Sequence, residues 1–562
     1  MIQTFNLEPY EEEFGRGLAE LAGRKIIPRI WEKDWTVWKP EPGEIANRLG
    51  WLTSPRAMKA KARCLHAFAA SARRAGFTRA LVLGMGGSSL APLVMASVFQ
   101  TRRGFLDLDV LDSTAPEAVL RARRNHPVRK SLFIVSSKSG TTAETSSFFG
   151  FFWNAVEAAV GQAAAPGHFA VITDPGTPLE ALAGRLGIKN VFHGDPEIGG
   201  RFSALSPFCL VPATLKGIPV SGMLEAGLGM SRRCREARDL RANPGALLGT
   251  ILGVLALRGR DKLTIILPDR LQSFGLWLEQ LIAESTGKEG RGILPVEGES
   301  FRGPGLDLGD RLFVHVGTKA EARNDGRLTG LVDAGQPVVN IALPPSYQLG
   351  GQFFLWEFAT AVAGRFLGIN PFDQPDVESA KIRSRETLAV FRATGALPPE
   401  KPRFKVKGIS IFSDLEARSA ADCLGKFLAG AAPGGYIAIQ AFLAPGKRIQ
   451  ASLDMVRSRL ADKTGLPTTA GFGPRFLHST GQLHKGDAGR GLFLQITAQD
   501  RFDAAIPDEP GSKTSTFSFG ILKAAQARGD YEALKAAGRR VLRIEIGSDS
   551  PAGLRQVASL LG

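Results

Sequence analysis

The chain has 562 residues, 44% of them hydrophobic and 22% charged, and a formal net charge of +16. This length exceeds what one hydrophobic core usually supports, so about two to four domains are expected. Lys and Arg are dispersed rather than gathered in runs interleaved with aromatics, which argues against a nucleic-acid partner; a dispersed positive field instead suits small anions entering a cleft. The most apolar stretch, Gly245 to Leu257, is closed by Arg258 and is too short to span a bilayer, so it is expected as a buried helix and no membrane partner is expected. The start MIQTFNLEPYEEEF lacks the basic and apolar regions of a secretory signal. Cys64, Cys209, Cys234 and Cys423 lie far apart without metal-ligand or CxxC spacing. A reduced, cytoplasmic setting without metal or other cofactor is therefore expected.

In chain order, residues 1–50 read as an N-terminal helical arm. From there β-rich apolar runs alternate with helix-length segments, the pattern of parallel sheets covered by helices. Ala80 to Leu83, Leu106 to Leu111, Leu132 to Ser136 and Phe169 to Thr173 read as strands, with helices starting near Ser88, Pro116, Thr142 and Pro178. This makes a first doubly wound domain over 51–215. A second, over 216–400, has a helix after Pro244, strands at Leu263 to Leu267, Leu312 to Val316 and Val338 to Leu343, and helices at Leu271 to Ser285, Phe353 to Phe366 and Val377 to Ala393. Pro398, Pro399 and Pro402 mark its end. A C-terminal α/β domain over 401–562 follows. Its expected strands are Gly408 to Phe412, Tyr436 to Phe442, Leu492 to Ile496 and Val541 to Ile546, with helices at Leu415 to Leu428, around Met455 and at Phe519 to Ala527.

Two loops leave the first domain's strands at their C-terminal ends, where such sheets bind ligands. Gly84-Met85-Gly86-Gly87-Ser88 places glycines where a strand hands over to a helix. Either an anion approaches the backbone there, at Gly87 and Ser88, or the turn merely needs glycine to pack. Ser137-Lys138-Ser139-Gly140-Thr141-Thr142 gathers hydroxyls and a lysine before a helix, which suits a dianionic phosphate. A cap by Thr141 or Thr142, with Glu144 complementing the helix dipole, would need only one of those hydroxyls. Further on, Gln280 and Glu284 are four apart on one helical face, with Glu284 in the last turn before Gly287, where the dipole disfavours a carboxylate. A general base and a surface pair with Lys288 are both open readings.

Together with Gly199-Gly200-Arg201-Phe202-Ser203, these motifs resemble the phosphoglucose isomerases, built from two sugar-isomerase (SIS) domains with parallel sheets. The resemblance spans about residues 50–395. It implies that the hydroxyl loop holds a substrate phosphate, that Gly200 and Arg201 lie near the sugar's C1 and C2, and that Glu284 is the base, because Gln280-x-x-x-Glu284-Ser-x-Gly-Lys matches the family's segment. Phe372-Asp373-Gln374-Pro375-Asp376-Val377-Glu378-Ser379-Ala380-Lys381 is similar to the second signature, which implies that Gln374 contacts substrate and Lys381 assists ring opening. Asp376 stands where the family has glycine; it is expected to cap the following helix.

The family's ring-opening histidine, which precedes the second signature, has no counterpart here. His315, inside a strand, reads as structural. In this respect the chain is closer to the variant module found fused behind a transaldolase. Far downstream, His478-Ser479-Thr480-Gly481-Gln482-Leu483-His484-Lys485-Gly486 repeats the family's histidine stretch with one residue deleted. Either the C-terminal domain donates His478 to the active site, from its own or a neighbouring subunit, or this is a polar loop.

The resemblance implies a glycolytic or gluconeogenic isomerase of sugar phosphates, acting on glucose 6-phosphate and fructose 6-phosphate through a cis-enediolate, commonly as a homodimer. The alternatives are an isomerase that also accepts mannose 6-phosphate, and a non-catalytic sugar-phosphate sensor.

Overall fold

The computed structural model describes residues 2–299, 308–343, 348–406 and 408–561. Its first strand, β1 (Ile2–Asn6), already departs from expectation, because residues 1–50 were expected to be helical. A five-residue stretch with mixed polarity carries too little periodicity to reveal an edge strand.

The first sheet comprises β2 (Arg79–Gly84), β3 (Asp107–Leu111), β4 (Ser131–Ser136), β5 (Phe169–Thr173) and β6 (Val191–His193), all parallel, in the order β3-β2-β4-β5-β6. Strands β4 and β5 are buried at every residue, which is why they read as continuous apolar runs. The winding reverses between β2 and β4, and Gly84 pairs with Ser136 at their ends. The glycine and hydroxyl loops therefore leave the sheet side by side at its switch point.

The second sheet comprises β7 (Lys262–Ile266), β8 (Leu294–Glu297), β9 (Arg311–Gly317) and β10 (Val338–Ala342), in the order β1-β10-β9-β7-β8. Its interior strands are parallel and β1 closes one edge antiparallel to β10. The helix Pro244–Leu257 is buried along nearly its whole length, as its apolar run predicts.

The third sheet comprises β11 (Phe404–Val406), β12 (Ile409–Phe412), β13 (Tyr436–Phe442), β14 (Thr468–Phe472), β15 (Gly491–Ala498) and, after a ribbon of β16 (Ala505–Ile506) and β17 (Phe517–Ser518), β18 (Arg540–Ile546). Its order is β11-β12-β18-β15-β13-β14, parallel from β18 to β14. The fold is thus α/β with doubly wound parallel sheets. The helix expected from Leu415 starts later, at Ala420, where the Ser419 hydroxyl accepts the Asp422 N–H.

The C-terminal sheet is not a separate bead. Its helix Phe519–Ala536 lies against the helix Glu378–Thr394, and a Cβ on Gly529 would come within 2.8 Å of the Ala380 carbonyl oxygen. Only glycine permits that backbone approach. The helix bearing Lys381 is thereby held by the helix that precedes β18 of the third sheet. Among the described residues, no helix is long and apolar enough to cross a membrane.

Candidate active site

Five segments contact one another: the glycine loop, the Arg201 turn, the helix Gln272–Thr286, the Gln374 segment and the His478 segment. The glycine loop turns through a short 3-10 segment, Gly86–Ser88, with Gly86 at φ +53°. A Cβ on Gly87 would overlap the Gly200 carbonyl oxygen at 2.0 Å, and one on Gly86 would meet Gln280 and His478 at 3.0 Å. These glycines therefore permit backbone-to-backbone packing that brings the Arg201 turn, the helix Gln272–Thr286 and the C-terminal segment together.

Arg201 is buried at 2% exposure, and its guanidinium organises the site. Nε donates to Ser285 Oγ (2.7 Å), Nη1 to Gln374 Oε1 (2.8 Å), and Nη2 to the Pro371 and Asp373 carbonyls (2.8 Å each). Nη1 also lies 3.2 Å from Glu284 Oε1. Burial lowers the guanidinium's pKa, against which Glu284 and Asp373 act. Lys288 Nζ donates to Asp373 Oδ1 (2.7 Å), and burial together with the neighbouring Arg201 pushes its pKa down to about 8. Aromatic packing holds this geometry. The Phe202 ring lies 5.3 Å from both Trp51 and Phe372, which ties the residue after Arg201 to the start of the Gln374 signature.

Gln280 bridges two elements. Its Nε2 donates to Glu284 Oε2 (3.0 Å) and to the His478 carbonyl (2.8 Å). His478 Nε2 lies 2.9 Å from Glu144 Oε1. The Gln526 amide, from the third domain, donates to the same Glu144 oxygen at 2.7 Å. Burial raises the Glu144 pKa, but the His478 charge and hydrogen bond more than reverse this, leaving it below the ordinary carboxylate value. Two arginine bonds pin the segment before His478: Arg475 grips Asp112 through Nε (2.7 Å) and Nη2 (2.8 Å). Asp112 follows β3 and Arg475 follows β14, so the clamp joins the third sheet to the first.

The hydroxyl loop is internally organised. Ser137 Oγ lies 3.0 Å from Thr142 Oγ1 and Ser139 Oγ 3.0 Å from Thr141 Oγ1, and neither threonine caps the helix Ala143–Val160. Lys138 turns its amine to Asp174 and to the Asp195 carbonyl, so only its backbone stays with the loop. Ser88 is buried in the glycine turn. A cavity of about 330 Å³ opens between Ser139, Thr141, Glu144, Lys381 and His478. Lys381 is half-exposed at its rim, 3.4 Å from Glu378. His315 lies elsewhere, its Nδ1 2.9 Å from Asn340 Oδ1 on the neighbouring strand.

One expectation is corrected. Asp376 does not cap the following helix, which begins at Glu378 after Val377. Instead its Oδ2 accepts from Gln482 Nε2 (2.5 Å) and its N–H donates to Gln482 Oε1 (2.9 Å). Gln482 also donates to the Gly287 carbonyl (2.9 Å). The departure from the family pattern is met by a residue of the third domain. The adjoining His484 is buried beside Phe493, and burial drives its pKa well down, leaving a neutral core imidazole.

Sequence reasoning missed Gln526, Ser285 and the pairing of Glu144 with His478. Glu144 was legible only as a dipole partner, and nothing local signals Gln526.

The arrangement places a carboxylate beside a buried guanidinium, with a carboxylate-bound imidazole and a hydroxyl-rich loop nearby. The family model of phosphoglucose isomerase matches residues 67–292. The glucose-6-phosphate isomerase of Carboxydothermus hydrogenoformans is 29% identical over 59% of this chain and 83% of its own. A probable glucose-6-phosphate isomerase of Methanococcus maripaludis is 30% identical over 56% and 79%, and the Rubrobacter xylanophilus enzyme 30% over 55% and 82%. Among solved structures, a hypothetical protein from Thermus thermophilus superposes with a TM-score of 0.59 at 26% identity, covering 69% of this chain and all of that one. These relatives leave roughly a third or more of the chain unaccounted for, whereas the matched family model spans the glycine loop, the hydroxyl loop, the Arg201 turn and the Glu284 helix. The chain belongs to the phosphoglucose isomerase family.

Proposed function

We propose that this aldose–ketose isomerase interconverts glucose 6-phosphate and fructose 6-phosphate through a cis-enediolate. The observation that carries the reading is the pairing of Glu284 with buried Arg201 at 3.2 Å, with Gln280 and Gln374 completing the group. The names of the relatives support the substrate.

In this reading the Ser137–Thr142 loop, with Gly87 and Ser88, holds the phosphate. Remote binding energy then positions the sugar for reaction. His478, oriented by Glu144, moves a proton at the ring oxygen, with Lys381 at the rim. Imidazole suits that step because its ordinary pKa lies near working pH. Glu284 takes the C2 proton of the open-chain aldose and returns it to C1. Arg201, adjoining Gly200, stabilises the oxyanion between these steps, and a fixed guanidinium is most effective where charge develops. Gln280 and Gln374 hold the two charged groups in register. In this reading all of these residues come from one chain.

The test is a coupled assay of the purified protein on glucose 6-phosphate, run in parallel in deuterium oxide. Proton transfer through an enediolate predicts fructose 6-phosphate carrying solvent deuterium at C1. Absence of turnover, or turnover with complete retention of the C2 hydrogen in every cycle, would contradict it.

A further inference from the structure

The linker that follows β3 reaches the His478 segment by a second route besides the Asp112–Arg475 clamp. The Thr114 hydroxyl donates to Gln526 Oε1 at 2.8 Å. Gln526 Nε2, on the helix Phe519–Ala536, donates to Glu144 Oε1 at 2.7 Å, and the same oxygen meets His478 Nε2 at 2.9 Å. Thr114, Gln526 and Glu144 are buried. Gln526, Glu144 and His478 line the cavity of about 330 Å³, whereas Thr114, at 0% exposure, does not reach it.

The donors in this chain run in one direction. An ionised carboxylate has no proton to give, so the Gln526 amide turns its nitrogen toward Glu144 and its oxygen away. The two ends of an amide are nearly alike in shape, so the partner of the far end decides which one faces the carboxylate. Thr114 is that partner, and its hydroxyl donates to the amide oxygen. A flipped amide would set an oxygen against Glu144. The carboxylate itself is kept ionised: burial raises its pKa, but the His478 charge and hydrogen bond bring it below the ordinary value. It also sits in the first turn of the helix Ala143–Val160, where the dipole favours negative charge. A carboxylate oxygen facing Nε2 calls for the imidazole proton on that nitrogen. Nδ1 is then the nitrogen through which a proton can pass.

We propose that Gln526, locked by Thr114, is a positioning residue of this site: its amide holds the Glu144 carboxylate so that His478 keeps a proton on Nε2 and turns Nδ1 to the ring oxygen of the substrate. The inference rests on the isomerase reading for its substrate. Gln526 lies outside residues 67–292, the part of the chain that the family model matches. In ring opening the C1–O5 bond breaks, the ring oxygen gains a proton and the C1 hydroxyl loses one, so no net proton is consumed. The transfer at the ring oxygen runs through Nδ1.

The test uses the full chain. In ligand-free protein with 15N-labelled histidine at pH 8.5, the His478 ring is assigned by the signals missing from His478→Ala. It is expected to be protonated on Nε2, with a slowly exchanging N–H that is weakened or lost in Gln526→Leu and Thr114→Val and recovered in Thr114→Ser. Exchange between the two anomers of glucose 6-phosphate, followed by NMR, reads ring opening apart from C2 proton transfer. Gln526→Leu is expected to slow it about tenfold or more with KM little changed, and Thr114→Val to slow it less, with Thr114→Ser restoring it. An Nδ1-protonated His478 in the parent, or an N–H signal and anomer exchange unchanged in Gln526→Leu, would overturn the proposal. Equal losses in Thr114→Val and Thr114→Ser would overturn the lock. Absence of turnover by the parent contradicts the isomerase reading alone, because the spectra judge the hydrogen-bond chain without substrate.

Discussion

The Gln280 side-chain amide donates to the backbone carbonyl of His478, 198 residues away, at 2.8 Å. Because Gln280 also holds Glu284, the proposed base, one amide links that carboxylate to the segment that carries His478. Glu284 and the His478 segment are thereby fixed to each other, although Glu284 and His478 are 194 residues apart in sequence.

Glu284→Gln keeps the size and the hydrogen bond to Gln280 but cannot take a proton. It is expected to lower kcat by at least ~10²-fold with KM little changed. Steady-state kinetics on glucose 6-phosphate decide this; near-normal turnover would remove Glu284 from the mechanism.

The hydroxyl loop is tested through its ligand. Replacing Ser139 and Thr142 together with valine removes two hydroxyls facing the cavity next to Lys381. The inhibition constant of inorganic phosphate should rise about tenfold, in step with KM, since two hydrogen bonds to a charged ligand are lost. An unchanged phosphate constant would put the anion elsewhere.

Asp376→Ala removes one partner of the buried Gln482 amide. A loss of about 1–3 kcal/mol is expected in chemical denaturation, concentrated in the docking of the third domain. A variant as stable as the parent would show that the Asp376–Gln482 pair does not hold the domains together.

Stability should also respond to Glu279. Its folded pKa, about 8, is raised above the unfolded value, so its contribution is fully present below the ordinary carboxylate range and is lost as pH rises through about 8. The slope from one such group is about 1.4 kcal/mol per pH unit. Melting of the parent between pH 5 and 8 should therefore decline more steeply than melting of Glu279→Gln. Parallel curves would mean that Glu279 is not held protonated in the folded chain.

What could be read in the sequence was local. The glycine and hydroxyl loops sit within ten residues of strands whose apolar runs are continuous, so both their type and their place at the sheet's C-terminal edge were legible. The His478 stretch was legible as a pattern, though not as a contact. Strand β14, Thr-Thr-Ala-Gly-Phe, was missed because its composition is that of a turn, and β1 because it is a single short edge strand. Asp376 was misread because a cap is the local role of an aspartate before a helix, whereas its partner Gln482 is 106 residues away. Gln526 reaches Glu144 across 382 residues, and no periodicity encodes such a pairing.

In the proposed mechanism His478, held by Glu144, completes the isomerase site from within the same chain. The direct measurement is anomer-resolved kinetics of His478→Ala on cyclic glucose 6-phosphate, with His315→Ala and inorganic phosphate binding as controls. A fall in turnover of at least ~10²-fold is expected for His478→Ala, with phosphate affinity intact, and little change for His315→Ala. Turnover of cyclic substrate by His478→Ala at the parent rate would contradict it.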